Sequence, residues 1–154
     1  MNTPRNVLSL FSSAGIGELG IKAAGLNILL SNELLSNRCE LYRENYPETE
    51  CLCGDIWELQ TKIVETWKSF DVSNPFLIYA TPPCQGMSFN SVGKRLNEIR
   101  KGRAPKDDPR NRLIIPTIKL KNASATVSVI LYIRSGFPST TLIASEMRLV
   151  TSVL

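Results

Sequence analysis

The chain has 154 residues, no histidine, and 18 basic against 14 acidic side chains, which gives a formal charge of +4. This length favours one domain. A content of 43% hydrophobic and 21% charged residues excludes disordered and fibrous proteins. No apolar run is long enough for a membrane span. The lack of histidine excludes histidine metal ligands, a Ser-His-Asp triad and imidazole catalysis, so any chemistry must rest on Cys, Asp, Glu, Lys, Arg or a bound cofactor.

Apolar spacing predicts alternating strands and helices from the amino end. Three helices are predicted, the first ended by Gly25, the second by Pro47, and the third presenting one apolar face from Ile56 to Trp67. The predicted strands are Val7 to Phe11, Asn27 to Leu30, Glu50 to Cys53 and Phe76 to Ala80. Alternation of this kind, with nearly continuous apolar strands, predicts a doubly wound α/β fold with a mainly parallel sheet of Rossmann-like type. In such folds, ligands bind at the carboxyl ends of the strands.

The sequence changes in character after Leu120. Residues 121–154 carry only four charges, and no clear period joins them to the preceding pattern, although Val127 to Ile133 is a candidate strand. Pro116 is expected to kink or end the helix that opens at Asp108-Pro109. We therefore predict a folded domain over residues 1–120 and an uncertain tail over residues 121–154.

Four cysteines raise the question of metal binding or disulfides. Cys51-Leu52-Cys53 is a CxC without a partner pair, so no metal site is predicted, and the alternation indicates one face of a strand. We expect Cys39, Cys51 and Cys53 to be reduced and buried in a protein of the prokaryotic cytoplasm.

The positive charge is concentrated between Asn90 and Arg112, where eight basic and three acidic residues leave +5, so the rest of the chain sums to −1. The glycines and prolines of this stretch predict a surface loop. A charge run is usually a solvated surface loop, but this concentration of positive charge slightly favours the alternative, which is contact with nucleic-acid phosphates.

Gly15-Ile16-Gly17-Glu18-Leu19-Gly20 stands between a predicted strand and helix. Glycines there allow backbone N–H groups to approach a charged ligand, and Glu33, after the second strand, is suited to accept hydrogen bonds from a ribose. This pattern favours a nucleotide-type cofactor over glycines used only for packing, without deciding between a dinucleotide and S-adenosylmethionine. Asp55 is equally suited to cap the following helix and to contact a cofactor.

Thr81-Pro82-Pro83-Cys84-Gln85 follows the fourth strand. The two prolines stiffen the exit from the strand and present Cys84 at the edge where ligands bind, so Cys84 is better placed as a nucleophile than the other three cysteines.

The tetrad Pro82-Pro83-Cys84-Gln85 resembles the nucleophile motif of the DNA (cytosine-5)-methyltransferases, and the order of other motifs matches that family from residue 7 to about residue 115. Leu10 to Gly15 resembles the first cofactor motif, with Ser13 and Ile16 in place of two glycines. The other resembling segments are Asn32-Glu33-Leu34, Gly54-Asp55-Ile56 and Asp108 to Leu113.

The resemblance implies transfer of a methyl group from S-adenosylmethionine to C5 of a cytosine extruded from double-stranded DNA, with Cys84 adding covalently to C6. It implies that the cofactor contacts Phe11, Ser12, Ala14, Gly15, Ile16, Gly17, Glu33, Leu34, Asp55, Ile56 and Pro82. It implies that DNA contacts Gln85, Ser88, Lys94, Arg95, Arg100, Lys101 and Arg103.

The chain also departs from the family. A Glu-Asn-Val motif after the nucleophile is absent, and Glu44-Asn45-Tyr46 precedes Cys84 on a predicted helix, so it cannot substitute. The later arginine motifs, the target recognition region and the last cofactor motif are also missing. We expect a truncated or frameshifted enzyme with negligible activity alone, which a second polypeptide could complete.

Two other hypotheses stay open from the sequence. A nicotinamide-dependent Rossmann oxidoreductase would use the glycine motif and Glu33 but leaves Cys84 and the basic segment unexplained. The other is a non-catalytic remnant without an independent fold, since loss of later strands exposes a sheet edge.

Overall fold

The structure is a computed structural model that describes residues 5–73, 75–83, 97–98, 100–102, 109–122, 128–133, 140–144 and 147–151. Its strands are β1 (Asn6–Leu10), β2 (Asn27–Glu33), β3 (Glu50–Cys53), β4 (Leu77–Ala80), β5 (Ser128–Ile133), β6 (Thr140–Ala144) and β7 (Met147–Thr151). Its longer helical segments are α1 (Glu18–Ala23), α2 (Ser36–Asn45), α3 (Ile56–Ser69) and α4 (Ile114–Asn122), with a 3₁₀ turn at Pro109–Leu113 before α4.

The strands form one sheet in the order β3-β2-β1-β4-β5-β6-β7. The first five are mutually parallel, and β6 and β7 are added antiparallel, so the predicted doubly wound, mainly parallel fold is confirmed. The strand order reverses between β1 and β4. Leu10 of β1 lies opposite Asn32 of β2 on one side and Ala80 of β4 on the other. The carboxyl ends of these strands therefore meet at one edge, where doubly wound folds bind ligands.

Every residue of β1 is buried, because helices cover both faces of the sheet. Val7 packs in an apolar cluster with residues of α1 and α2, including Ile21 and Tyr42. Leu8 packs on the opposite face, in a cluster that includes Ile63 of α3. Successive side chains of a strand point to opposite faces, so the one apolar run of β1 serves both clusters.

The second strand is longer than predicted, because it continues through polar residues to Glu33. These residues are buried, and their side chains bond to the neighbouring strand: Ser31 Oγ donates to the Glu50 carbonyl at 3.4 Å, and Asn32 Nδ2 donates to the Leu52 carbonyl at 3.0 Å. A polar side chain satisfied by the adjacent strand can lie in a sheet interior, which apolar spacing alone does not reveal.

The expectation that Cys39, Cys51 and Cys53 are all buried is wrong for Cys53, which is exposed at the carboxyl end of β3, whereas Cys39 and Cys51 are buried. All three are free thiols. Burial raises the pKa of the Cys39 thiol, as expected for an inert structural cysteine.

The expectation that Pro116 ends or kinks a helix is also wrong. The α-helix begins only at Ile114, so Pro116 lies in its first turn, where a backbone N–H has no intrahelical acceptor to lose. The strand predicted at Val127 to Ile133 is confirmed as β5, whereas β6 and β7 were not predicted. The division at residue 120 stays a prediction. Among the described residues, no helix has the length and apolar character needed to cross a bilayer.

We predict opposite effects of alanine at two glycines of α1. Gly25 has a φ of +73° and ends the helix, its N–H bonding to the Lys22 carbonyl at 2.9 Å while the Leu26 N–H bonds to Ile21 at 3.2 Å. No atom lies within 4 Å of a Cβ at Gly25 or Gly20, so steric clash is absent at both. Gly25→Ala should lower the free energy of unfolding by about 1 kcal/mol through backbone strain. Gly20→Ala should raise it by about 0.5–1 kcal/mol through helix propensity.

Urea unfolding monitored by circular dichroism measures both changes. Equal effects of the two substitutions would contradict the assignment of Gly25 as the left-handed end of α1.

Candidate cofactor site

A cleft of about 340 Å³ opens at the carboxyl ends of β1, β2, β3 and β4. Four of the predicted segments meet there: the turn after β1, the end of β2, the turn after β3 and the exit from β4. It is lined by Phe11, Ser13, Asn32, Glu33, Leu34, Leu35, Arg38, Gly54, Asp55, Ile56, Thr81, Pro83 and Leu113. Residues 70 positions apart in sequence therefore share one wall, as the fold class predicts.

The Glu33 carboxylate is held by two loops. The Ser13 N–H donates to Oε2 at 2.8 Å, and the Leu35 N–H donates to Oε1 at 3.1 Å. The side chain is buried and lines the cleft. A carboxylate offers about four acceptor sites, so each oxygen of Glu33 can still accept a hydrogen bond from a ligand. This arrangement is suited to the hydroxyl groups of a ribose.

The sequence left two roles for Asp55 equally open, namely capping of α3 and contact with a cofactor. Its carboxylate accepts a hydrogen bond from the Trp57 N–H at 2.9 Å, so it caps α3. It also lines the cleft, one turn after the end of β3. The cap is confirmed, and contact with a cofactor stays a prediction.

The apolar part of the cleft comes from side chains of three different segments. Phe11 is half-buried, Ile56 is buried, and Leu34 is 60% exposed even though it is apolar. An exposed leucine beside a buried carboxylate is typical of a site that covers the apolar ring of a ligand and fixes its polar end.

Residues 11–17 connect β1 to α1 and are called the glycine loop below. Two of its residues other than glycine, Phe11 and Ser13, have left-handed φ values of 59° and 51°. Such conformations persist only where the surroundings hold them. Thr81 Oγ1 donates to the Phe11 carbonyl at 2.9 Å, and the Ser12 N–H donates to the Asn32 carbonyl at 3.1 Å. The ends of β2 and β4 thus hold the strained loop.

Two glycines of this loop are also required by packing. A Cβ at Gly15 would lie 2.1 Å from the Tyr46 ring, and one at Gly17 would lie 2.5 Å from the Tyr79 hydroxyl oxygen. The packing interpretation, which the sequence ranked second, therefore has a physical basis at both positions. Neither glycine lines the cleft.

The other predicted cofactor residues differ in position. Ser12 and Pro82 are buried behind the cleft wall, and Ala14 is half-buried outside it. Ile16 is 77% exposed. These assignments stay predictions. Three residues that line the cleft were not among the predicted contacts: Ser13, Asn32 and Thr81. Each is a polar residue at or just after the end of a strand, and this was the signal that could have identified them.

The predicted nucleophile Cys84 lies outside the described residues, as do Gln85, Ser88, Lys94, Arg95 and Arg103. Pro83, directly before Cys84, lines the cleft. Arg100 and Lys101 are described and exposed, with the Lys101 N–H bonded to the Asn97 carbonyl at 3.0 Å. The described residues contain no group of three or more Cys, Asp or Glu side chains arranged to hold a metal.

A doubly wound sheet whose strand ends carry a glycine loop and two carboxylates at one cleft defines a Rossmann-like α/β protein with a ligand cleft at the carboxyl ends of its strands. Residues 5–126 match the family model of the C-5 cytosine-specific DNA methylases. The chain belongs to this family.

Two related proteins that are Type II methyltransferases support this family assignment. M1.HgaI, a Type II methyltransferase of Avibacterium volantium, is 37% identical over 115 residues, which cover 73% of this chain and 30% of the relative. M.AquIA, a Type II methyltransferase of Picosynechococcus, is 30% identical over 116 residues, which cover 75% and 43%. The chain thus spans less than half the length of these two relatives.

Solved structures support the fold. A DNA modification methyltransferase encoded within an E. coli prophage superposes with a TM-score of 0.65 at 24% identity, covering 85% of this chain and 32% of that one. DNMT2 of Spodoptera frugiperda superposes with a TM-score of 0.58 at 23% identity, covering 86% and 36%.

We predict that Glu18→Gln stabilises the protein at high pH. Glu18 lies at the end of the glycine loop and is almost fully buried, accepting a hydrogen bond from Ser9 Oγ at 2.5 Å. Burial raises its pKa above the ordinary value of 4.5, and the nearby Glu33 carboxylate adds to this effect. Above the raised pKa the folded state buries a charge, so folding loses stability as pH rises through that pKa.

The advantage of Glu18→Gln should be largest near pH 8 and shrink as pH falls toward 4.5. Urea unfolding at several pH values measures it, with Glu44→Gln, an exposed substitution on α2, as the control. An advantage independent of pH would contradict a buried Glu18 carboxylate.

Proposed function

We propose that this chain carries the cofactor-binding and nucleophile-bearing part of a DNA (cytosine-5)-methyltransferase, and that the cleft binds S-adenosylmethionine. One observation carries the proposal: Glu33 and Asp55 line the same cleft as Pro83, which directly precedes Cys84. Pro83 therefore ties the sequence position of the proposed nucleophile to the cleft that holds both carboxylates.

The donor set of the cleft fits the proposed cofactor. Glu33 has free acceptor sites for the two ribose hydroxyls, and Asp55 has a carboxylate oxygen that is free to accept from the adenine amino group while the other caps α3. Leu34 and Ile56 provide apolar contact for the adenine ring. A volume of about 340 Å³ lies within the range of small-molecule sites. When bound, the cofactor supplies the methyl group that the cytosine accepts.

The protein's part in the reaction falls to Cys84. Its thiolate adds to C6 of an extruded cytosine, and the S–C6 bond makes C5 nucleophilic enough to accept the methyl group. Transfer of the C5 proton to solvent water then lets the C5–H electron pair form the C5=C6 double bond, which breaks the S–C6 bond, expels the thiolate and restores the aromatic ring. The basic residues between 94 and 112 lie within 30 positions of Cys84 in the sequence and are suited to hold the DNA backbone.

We predict that Asp55→Asn separates capping from cofactor binding. Asparagine caps helices as well as aspartate does, so the free energy of unfolding should stay within about 0.5 kcal/mol of the original. The new amide NH₂ would face the adenine amino group with a donor where an acceptor is needed. Affinity for S-adenosylhomocysteine, measured by calorimetry, should fall about tenfold or more.

Asp71→Asn is the matched control, since Asp71 is exposed outside the cleft and its φ of 52° is tolerated by asparagine. NAD serves as the ligand control. Binding of NAD but not of S-adenosylhomocysteine would overturn the proposed function in favour of an oxidoreductase.

We further predict negligible methyl transfer by the chain alone. The sequence has no Glu-Asn-Val after Cys84, so no glutamate of that motif can stabilise the cytosine ring as charge develops on it. Tritiated methyl transfer to mixed-sequence DNA should not exceed that of a Cys84→Ala variant. Robust turnover that is lost in Cys84→Ala would contradict this prediction while supporting the family chemistry.

A further inference from the structure

Two side chains at the end of α2 hold the glycine loop at residues that do not line the cleft. Asn45 Nδ2 donates to the Ala14 carbonyl at 2.9 Å, and Tyr46 Oη donates to the Gly15 carbonyl at 2.6 Å. Each pair is 31 positions apart in sequence. These residues belong to the Glu44-Asn45-Tyr46 segment, for which the methyl-transfer chemistry has no use. Two consecutive carbonyls of the loop are thus held by two consecutive side chains.

The ring of Tyr46 is itself fixed. It is buried, stacks on Tyr42 with 4.8 Å between ring centroids, and has the Lys22 ammonium 5.2 Å from its centroid. It lies so close to Gly15 that any Cβ there would overlap it. The loop therefore rests against a rigid surface of α2, and its position depends on that surface.

The two hydrogen bonds determine how the loop peptides are oriented. In a planar trans peptide the carbonyl and the following N–H point in opposite directions. Because the Gly15 carbonyl faces Tyr46, the Ile16 N–H is turned away from Tyr46. Because the Ala14 carbonyl faces Asn45, the Gly15 N–H is turned away too, and it bonds to the Ser12 carbonyl at 2.9 Å. The loop residues that line the cleft, Phe11 and Ser13, lie just before these fixed peptides.

We propose that Asn45 and Tyr46 are positioning residues of the cofactor site, which hold the glycine loop in the conformation that binds the cofactor. The proposal rests on the proposed function for the identity of the ligand. Its structural part, that two side chains of α2 hold residues 11–17, is measurable in the protein without ligand.

The first test is hydrogen exchange of the free protein. Asn45→Ala removes an exposed hydrogen-bond donor, and Tyr46→Phe removes only a hydroxyl group, so neither substitution leaves a large cavity in the core. Exchange of amides 12–17 should become about three- to tenfold faster in each variant, as loss of one hydrogen bond allows, while exchange in α3 stays unchanged. Asn37→Ala, exposed on the same helix, and Tyr42→Phe, which keeps the ring that stacks on Tyr46 and removes a buried hydroxyl that makes no hydrogen bond to the loop, are the matched controls. Unchanged loop exchange in both test variants would overturn the proposal.

The second test is calorimetry with S-adenosylhomocysteine. Affinity should fall about three- to tenfold in Asn45→Ala and in Tyr46→Phe, with melting temperatures like those of the controls. Asn45→Gln, which keeps a donor amide, should recover part of the loss. Faster loop exchange with unchanged affinity would overturn the positioning role. If the original chain binds no S-adenosylhomocysteine, the proposed function fails, and the exchange data alone decide whether the two side chains hold the loop.

Discussion

The site depends on the position of one carboxylate, that of Glu33 at the end of β2. It accepts a backbone hydrogen bond from Ser13, in the loop after β1, and another from Leu35, in its own loop. A buried carboxylate without such partners would be costly, so the two loops and the side chain stabilise one another. Two neighbouring strand ends are thereby joined by a carboxylate that lines the cleft and still has acceptor sites. Without this bridge, the strained conformation at Ser13 would lose a principal support.

The glycine loop is held by three neighbouring segments. The ends of β2 and β4 bond to Ser12 and Phe11, and the end of α2 bonds to Ala14 and Gly15. Such a loop has little freedom to lose when a ligand binds, which is the physical basis of preorganised affinity. Gly15 and Gly17 therefore serve close packing against Tyr46 and Tyr79, and their contact with a ligand stays a prediction.

Much of this could be predicted from sequence. The continuous apolar strands predicted the parallel sheet, because a strand that is covered on both faces has apolar residues at nearly every position. Capping was one of the two roles predicted for Asp55, because a helix cap involves only a residue and the two that follow it. The end of β2 was missed because Ser31 and Asn32 are polar, and their hydrogen bonds to β3 depend on a neighbour that the local sequence does not specify. The exposure of Cys53 was missed for a related reason, since burial at a strand end depends on what packs over it.

By itself, the sequence determined the order of strands and helices over residues 7–80 and the residue types at each strand end, and its motifs indicated the family, since these follow from local periodicity and short motifs. Only the tertiary structure decided that Ser13 bonds to Glu33, that Thr81 holds Phe11, and that α2 holds the glycine loop through Asn45 and Tyr46. Each of these contacts joins residues at least 20 positions apart. The first two form because the ends of parallel strands meet at one edge, and the other two form because the end of α2 packs against the loop.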